Sequence, residues 1–374
     1  MKKQLIMRRA EAANQTMRFE TLDALRGITV ILAMVDHVKV QFVSDVHVLI
    51  PLTRLSTPGF VILFGVMIEI AYLSKLRAGR TLRSVRERMA ARLITCWSLA
   101  TLLSLAAFAS GNLDFDTAWR AALGLELGRF NEILLIYAAF FAFLIAILPL
   151  VLRYGSVLIL AIALFGWLLQ PIFAAAFPEP PLFVNMVLGV GTGYGPALLP
   201  AMTFLGFGLA LGEALNGRRS YLLVGVMAFI ALLVCGSELS HGVMEAGRRF
   251  LANRWINHPG YYAVGILGFI GMFVCLLLAS RIDRLAGLLN ALAKIGSQSL
   301  FVYGVGNLWL NLLPMVDMPR ALGVCVAFLF LACLISLALA GPAKRNVMGM
   351  GLPALWGEQY GKLRDLMARR LVPA

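Results

Sequence analysis

The chain has 374 residues, of which 60% are hydrophobic and only 14% are charged, and its mean hydropathy is +0.84. A water-soluble domain of this size could not bury so much apolar surface, so the composition indicates an α-helical protein that crosses a lipid bilayer several times. The net charge of +14 is spread over short loops between apolar runs. That distribution is typical of membrane topology and argues against a nucleic-acid partner.

Ten apolar stretches approach the roughly 20 residues that a transmembrane helix needs. They lie at 24–43, 58–74, 93–109, 133–152, 156–177, 197–215, 221–236, 261–279, 297–313 and 321–340. The predicted fold is therefore an all-α bundle of about ten spans in one membrane domain, residues 1–340. A basic tail follows, 341–374, in which we expect a short amphipathic helix on the inner membrane surface.

The basic residues orient this bundle. If the N-terminus is inside, 24 of the 33 Lys and Arg residues lie on that side and seven lie on the other. Loops that carry the excess of positive charge face the cytoplasm. Both termini are therefore predicted to be cytoplasmic.

The first predicted span, "DALRGITVILAMVDHV" (Asp23–Val38), contains three ionisable side chains, Arg26, Asp36 and His37. Such groups are costly in hydrocarbon unless they have a partner or water. Arg26 and His37 are eleven residues apart, which places them about 16 Å apart on nearly the same helix face. Taken singly, Arg26 could snorkel to an interface, His37 could bond another helix, and Asp36 could pair with Lys39. Together they predict an inward polar stripe from the cytoplasmic surface to mid-membrane.

Such a stripe suits a transmembrane group transfer. Imidazole titrates near neutrality, so His37 could accept a proton from a hydroxyl acceptor. The fixed charge and the fork of donors of arginine suit phosphates, so Arg26 could hold a phosphate-rich donor at the membrane surface.

"LDALRGITVILAMVDH" resembles the first-helix signature of the acyltransferase-3 superfamily of membrane acyltransferases, an Arg followed by ten residues and a His. The Asp before that His, and the next span, are most similar to the OpgC branch, the osmoregulated periplasmic glucan succinyltransferases. "NEILLIYAAFFAFLIAILPLVLRYG" (Asn131–Gly155) and "LAKIGSQSLFVYGVGN" (Leu292–Asn307) are similar to later segments of the same family.

The resemblance implies about ten spans and transfer of an acyl group from cytoplasmic acyl-CoA, succinyl-CoA or acetyl-CoA, to a periplasmic glycan hydroxyl. It implies that His37 is the catalytic base, that Arg26 is the family's conserved arginine, and that Glu132 stands at an acidic position. Asp36 or Glu132 would then hold the imidazole tautomer. The chain departs from the family pattern at Asn307, where relatives often have a histidine, and in the spacing from Glu132 to Tyr137.

Basic residues of the loop 75–92, among them Arg77 and Arg80, are expected to join Arg26 in receiving the CoA phosphates. Glu69 lies within the second predicted span. A carboxylate there should face the bundle, either in an ion pair with Arg26 or as part of the CoA pocket.

The outer loop that ends "RWINHPGYY" contains Trp255, His258 and Tyr261. These side chains could bind the glycan acceptor, although Trp and Tyr at a membrane boundary are also common as interfacial anchors. The histidines of this loop and the five cysteines of the chain lack ligand-like spacing, so no metal site is predicted.

The sequence thus favours a multi-pass acyltransferase of a bacterial-type inner membrane that uses acyl-CoA. Two rival functions stay open. A transporter or flippase for an envelope glycan or lipid intermediate would also need charged groups at mid-membrane. A structural subunit of an envelope polysaccharide machine could have kept the fold without its activity.

Overall fold

The computed structural model describes residues 2–43, 50–190, 195–218, 220–242, 245–247, 254, 256–315, 318–347 and 352–372. For residues 2–19, 50, 341–347 and 352–358 only the backbone is described. Within these ranges all regular structure is helical, which confirms the predicted all-α bundle.

Sixteen α-helices are used below, numbered in chain order. They are α1 (Lys2–Phe42), α2 (Ile50–Thr53), α3 (Ser56–Ile68), α4 (Ser74–Arg77), α5 (Leu82–Ala109), α6 (Phe115–Ala122), α7 (Glu132–Tyr154), α8 (Ser156–Ala176), α9 (Leu182–Leu188), α10 (Leu198–Leu215), α11 (Tyr221–Leu239), α12 (Pro259–Ala279), α13 (Ala286–Ser297), α14 (Ser299–Leu312), α15 (Arg320–Val347) and α16 (Leu352–Leu371). A π-helical turn, Glu69–Leu73, joins α3 to α4.

Among the described residues, eight helices are long and apolar enough to cross a membrane, and they correspond to eight of the ten predicted spans. The predicted span 297–313 corresponds to α14, which meets α13 at a bend of 70°. Taken together, α13 and α14 are long and apolar enough for one broken span. The predicted span 24–43 is the second half of α1, in which Arg26, Asp36 and Lys39 interrupt the apolar sequence.

The second half of α1 lies inside the bundle. It packs along α13 and also contacts α3, α12, α14 and α15. Glycines allow the backbones of α1 and α13 to touch: a Cβ atom on Gly27 would lie 2.2 Å from the carbonyl oxygen of Leu292, and one on Gly296 would lie 1.7 Å from that of Asp23. This contact fixes α1 next to the bend between α13 and α14.

Local sequence signals set several helix ends. The side chain of Thr81 caps α5 by accepting a hydrogen bond from the backbone N–H of Ser84 at 3.3 Å. Asp114 caps α6 in the same way through the N–H of Thr117, at 2.9 Å. These residues have the short polar side chains that satisfy free N–H groups at helix starts. Between α7 and α8 the chain turns at Gly155, whose φ of +63° favours glycine.

The C-terminal part of the chain is helical. α15 continues to Val347, past the boundary expected at 340, and α16 corresponds to the amphipathic helix expected in the tail. α16 packs on α5, where Ala368 and Val372 are buried against Ala90 and Ile94. The tail helix is thus in contact with the membrane domain.

The close contact between α1 and α13 predicts the effect of one methyl group. Gly296→Ala should lower the free energy of unfolding by about 1–3 kcal/mol, because the added Cβ would overlap a backbone carbonyl that cannot move alone. Gly287→Ala is the matched control on the same helix, since a Cβ at Gly287 meets no atom within 4 Å. Thermal unfolding of the two variants in detergent measures the difference, and equal midpoints would contradict this packing.

Candidate active site

His37 lines a cavity of about 290 Å³, called the His37 cavity below. Its walls come from α1, from the chain around α2 and α3, from the loop that precedes α7, and from α14. Its charged lining residues are Asp36, Lys39, Arg54, Glu132 and Arg254. The imidazole therefore faces a polar space within the bundle, as a reacting group must.

The imidazole of His37 is held on several sides. Its Nδ1 lies 2.6 Å from Oδ1 of Asn307 on α14. Its ring stacks on Phe130, with centroids 4.4 Å apart, and meets Tyr303 edge-on at 5.7 Å. With the Asn307 oxygen as acceptor, Nδ1 carries the hydrogen and Nε2 keeps its lone pair. The arrangement therefore leaves Nε2 as the atom able to take a proton.

Neither carboxylate expected to orient His37 does so. Asp36 instead accepts a hydrogen bond from the hydroxyl of Thr53 at 3.1 Å and lies 3.8 Å from both Lys39 and Arg54. Asp36 precedes His37 by one residue, so its side chain leaves α1 about 100° away around the helix axis. It therefore points to the α2–α3 region. Asp36 lines the cavity, but the tautomer of His37 is set by Asn307.

Glu132 lies on the wall of the His37 cavity, where it forms a short ion pair with Arg254. Nε of Arg254 also donates to the carbonyl of Gly195 at 2.7 Å, and its side chain is buried. Burial, the largest single influence, would lower the pKa of Arg254, but Glu132, Tyr261 and Asp36 together outweigh burial and hold the pKa above its usual value. The pair ties the first turn of α7 to the loop between α11 and α12.

Arg26 lines a second and larger cavity of about 900 Å³, called the Arg26 cavity below. Nη1 of Arg26 donates to Asp23 at 3.1 Å, and Nη2 donates to the hydroxyl of Ser299 at 3.3 Å. Ser299 is the first residue of α14, directly after the 70° bend. The bend therefore brings the N-terminus of a helix, where N–H groups favour anions, to the side of an arginine.

The lining of the Arg26 cavity is strongly basic. It contains more arginines than acidic residues, namely Arg26, Arg88, Arg92, Arg364 and Arg369 against Glu87 and Asp365. Two of these arginines come from α5 and two from α16.

The two cavities meet at a shared wall formed by Phe60 of α3, Ile133 of α7 and Tyr303 of α14, because these three residues line both. The rings of Phe60 and Tyr303 pack edge-to-face at 5.7 Å. The hydroxyl of Tyr303 donates to the carbonyl of Phe130 at 3.0 Å. Arg26 and His37 thus line two different cavities, and the single polar stripe expected from the sequence is divided between them.

The expected ion pair between Glu69 and Arg26 is wrong. Glu69 is fully buried and pairs with Arg77, and it accepts a second hydrogen bond from Asn216 at 3.3 Å. The π-helical turn and α4 bring Arg77 back towards Glu69, whereas Arg26 bonds Asp23 and Ser299. Neither Glu69 nor Arg77 lines the Arg26 cavity, and nor does Arg80, which is exposed in the turn before α5.

The outer loop does reach the site, but not through the residues expected. His258 caps α12, accepting a hydrogen bond from the N–H of Gly260 at 3.1 Å, with Pro259 in the first turn. Tyr261 is fully buried, and its ring packs edge-on against Phe204 and Tyr262. Neither His258 nor Tyr261 lines either cavity, and Trp255 lies outside the described residues.

Sequence reasoning missed Arg254 and Asn307 as site residues. For Asn307 a signal existed, because it stands where the resembling family often has a histidine. For Arg254 the only signal was its place in the outer loop that also contains Trp255 and His258.

The lining of the two cavities agrees with the sides that loop charge predicts for the loops. Arg88 and the tail helix, predicted on the inner side, line the Arg26 cavity, whereas Arg54 and Arg254, predicted on the outer side, line the His37 cavity.

The buried pair of Glu132 and Arg254 predicts a coupled loss of stability. Glu132→Ala and Arg254→Ala should each lower the free energy of unfolding by about 3 kcal/mol, because each leaves the opposite charge buried alone. The double variant should lose less than the sum of the two, by at least about 1 kcal/mol. Denaturation of all four proteins in detergent gives this coupling, and strictly additive losses would exclude the pair.

Residues 18–114 match a family model described as "OpgC protein". The matched segment is about a quarter of the chain and contains Arg26, Asp36, His37 and Phe60. It agrees with the resemblance found in the first span, whereas Glu132, Arg254 and Asn307 lie beyond it. Comparison with curated proteins and with solved structures gave no match.

Proposed function

We propose that the protein is a membrane acyltransferase that moves an acyl group from acyl-CoA to a hydroxyl of an envelope glycan. The observation that carries this proposal is that two unlike cavities meet at one shared wall. One is lined by arginines, and the other contains an imidazole whose tautomer is set by Asn307. The similarity of residues 18–114 to the OpgC protein family supports the same activity.

The Arg26 cavity fits the chemistry of the donor. Its volume lies within the range of roughly 300–1,000 Å³ that is usual for ligand pockets, and its arginines match the phosphates of CoA. Arg26, Arg88 and Arg92 would hold these phosphates, beside the N-terminus of α14. When bound, acyl-CoA supplies an activated thioester carbonyl.

His37 is the proposed general base. Nε2 would take the proton of the acceptor hydroxyl as its oxygen bonds to the acyl carbon, and the C–S bond of the thioester would break and release CoA, which takes up a proton. The Nδ1–H bond to Asn307 keeps the ring in the tautomer that can accept the proton. The nearby cations Lys39 and Arg54 favour the negative charge that develops on oxygen during acyl transfer. Phe60, Ile133 and Tyr303 stand where the cavities meet, so they would contact the transferred group.

Glu132 is the proposed binding group for the acceptor. One of its carboxylate oxygens bonds Arg254, whereas the other, Oε1, is buried and has no hydrogen-bond partner among the described residues. An unsatisfied buried acceptor is costly, and a sugar hydroxyl in the His37 cavity could satisfy it. The cations of this cavity outnumber its carboxylates, which favours an acyl group with a carboxylate of its own, succinyl, over acetyl.

The two sides of the protein follow from loop charge. The Arg26 cavity would face the cytoplasm, where acyl-CoA is made, and the His37 cavity would face the periplasm, where the glycan lies. In this orientation both termini would lie in the cytoplasm, and the protein would belong to a bacterial-type inner membrane.

Turnover of labelled succinyl-CoA and acetyl-CoA by the purified protein, with a glucan acceptor, tests the proposal. His37→Ala should lower kcat about 10²- to 10⁴-fold, the usual contribution of a general base, while CoA binding persists. Turnover by the His37→Ala variant at the wild-type rate would falsify the role of His37. Movement of the glycan across vesicles without CoA consumption would instead favour a transporter.

The hydrogen bond between His37 and Asn307 makes a separate prediction. Asn307→Ala should lower kcat about tenfold, the equivalent of one hydrogen bond, and leave the KM for acyl-CoA unchanged, because Asn307 contacts His37 and does not line the Arg26 cavity. Asn307→Asp keeps an oxygen acceptor for Nδ1–H and should restore most of the rate. If both substitutions have the same effect, Asn307 does not set the tautomer.

A further inference from the structure

The tail helix α16 is amphipathic in an unusual way, with two separate apolar faces. One contacts the protein: Ala368 and Val372 are buried against Ala90 and Ile94 of α5. The other is exposed and consists of Leu363, Leu366, Met367 and Leu371. A helix that only lay on a membrane surface would need the second face alone. The first face indicates that α16 has a fixed place on α5.

That place is the wall of the Arg26 cavity. Four residues of α16 line it, namely Arg364, Asp365, Ala368 and Arg369. Arg364 and Ala368 are four residues apart, as are Asp365 and Arg369, and this spacing puts the two pairs on one side of the helix. On α5, the helix that supports α16, Arg88 and Arg92 line the same cavity. Cations thus face the cavity from two adjacent helices.

The two arginines of α16 differ in their surroundings. Arg364 donates from Nε and Nη2 to Oδ1 of Asp365, at 2.8 and 2.7 Å, so an acidic group already balances its charge. Arg369 forms no ion pair with any residue in the part of the chain that the structure describes. A guanidinium on a cavity wall without a carboxylate partner is suited to an anionic ligand, above all to phosphate.

We infer that α16 forms part of the donor site and that Arg369 binds a phosphate group of the donor, together with the arginines of α5. The ligand class is a phosphorylated nucleotide thioester, which rests on the function proposed above. A phosphate held between Arg369 and α5 would also strengthen the docking of α16. Donor binding and the position of the tail helix are then linked, since a ligand stabilises the state that it binds.

The test measures binding of coenzyme A, without an acyl group, to the purified full-length protein by titration calorimetry. Arg369→Ala should weaken binding about tenfold or more, while Arg369→Lys should lose less. Arg370→Ala is the matched control, because it removes the same charge from the next residue, which is exposed like Arg369 but lies outside the cavity lining. This control should bind coenzyme A as tightly as the wild type. Thermal unfolding of the three variants checks that each is folded, and their midpoints should lie close to that of the wild type.

A second readout follows the helix itself. Coenzyme A should slow hydrogen exchange of the amides of 359–371 in the wild-type protein, and this protection should be lost in Arg369→Ala. If the wild type turns over acyl-CoA but Arg369→Ala and Arg370→Ala bind coenzyme A equally, the role of α16 is refuted and the proposed function stands. If the wild-type protein binds no coenzyme A, both proposals fail together.

Discussion

The structure depends on the hydrogen bonds that polar side chains of α1 make inside the bundle, where water cannot satisfy them. Arg26 bonds Ser299, His37 bonds Asn307, and Gln41 bonds the carbonyls of Leu313 and Pro314. All of these partners lie on α14 or directly after it, so the polar face of α1 fixes the rotation and the height of that helix. Unpaired groups would cost several kcal/mol each in hydrocarbon, which makes this alignment stringent. The positions of both cavities follow from it, because α1 and α14 each line both.

The fold was largely predictable because its signals are local. Apolar length placed eight of the spans, and loop charge separated the residues of the two cavities. The two remaining predicted spans are the exceptions, namely the second half of α1 and the bent pair of α13 and α14. Charged residues interrupt the apolar sequence of α1, and no Pro stands at Gln298 to mark the bend. Both exceptions are the helices that build the site, where a polar group or a broken helix is retained at a cost in stability.

The site was predictable in part. Arg26 and His37 stand out because ionisable residues are rare in an apolar span, and both do line cavities. The contact of His37 with Asn307 could not be derived from the sequence, since the two residues are 270 positions apart and their contact depends on how two helices are rotated. His258 is a different case. The sequence His-Pro-Gly is a local signal for the start of a helix, so its role as a cap was available from the sequence alone.

The shared wall bears on proton movement in a protein whose helices span a membrane. A continuous water-filled path from Arg26 to His37 would conduct protons and dissipate the membrane potential, which acts on every mobile charge. Phe60 and Ile133 offer no site for a proton, and the hydroxyl of Tyr303 is already committed to the carbonyl of Phe130. The three residues that the two cavities share therefore offer no ready relay for protons between the Arg26 cavity and the His37 cavity.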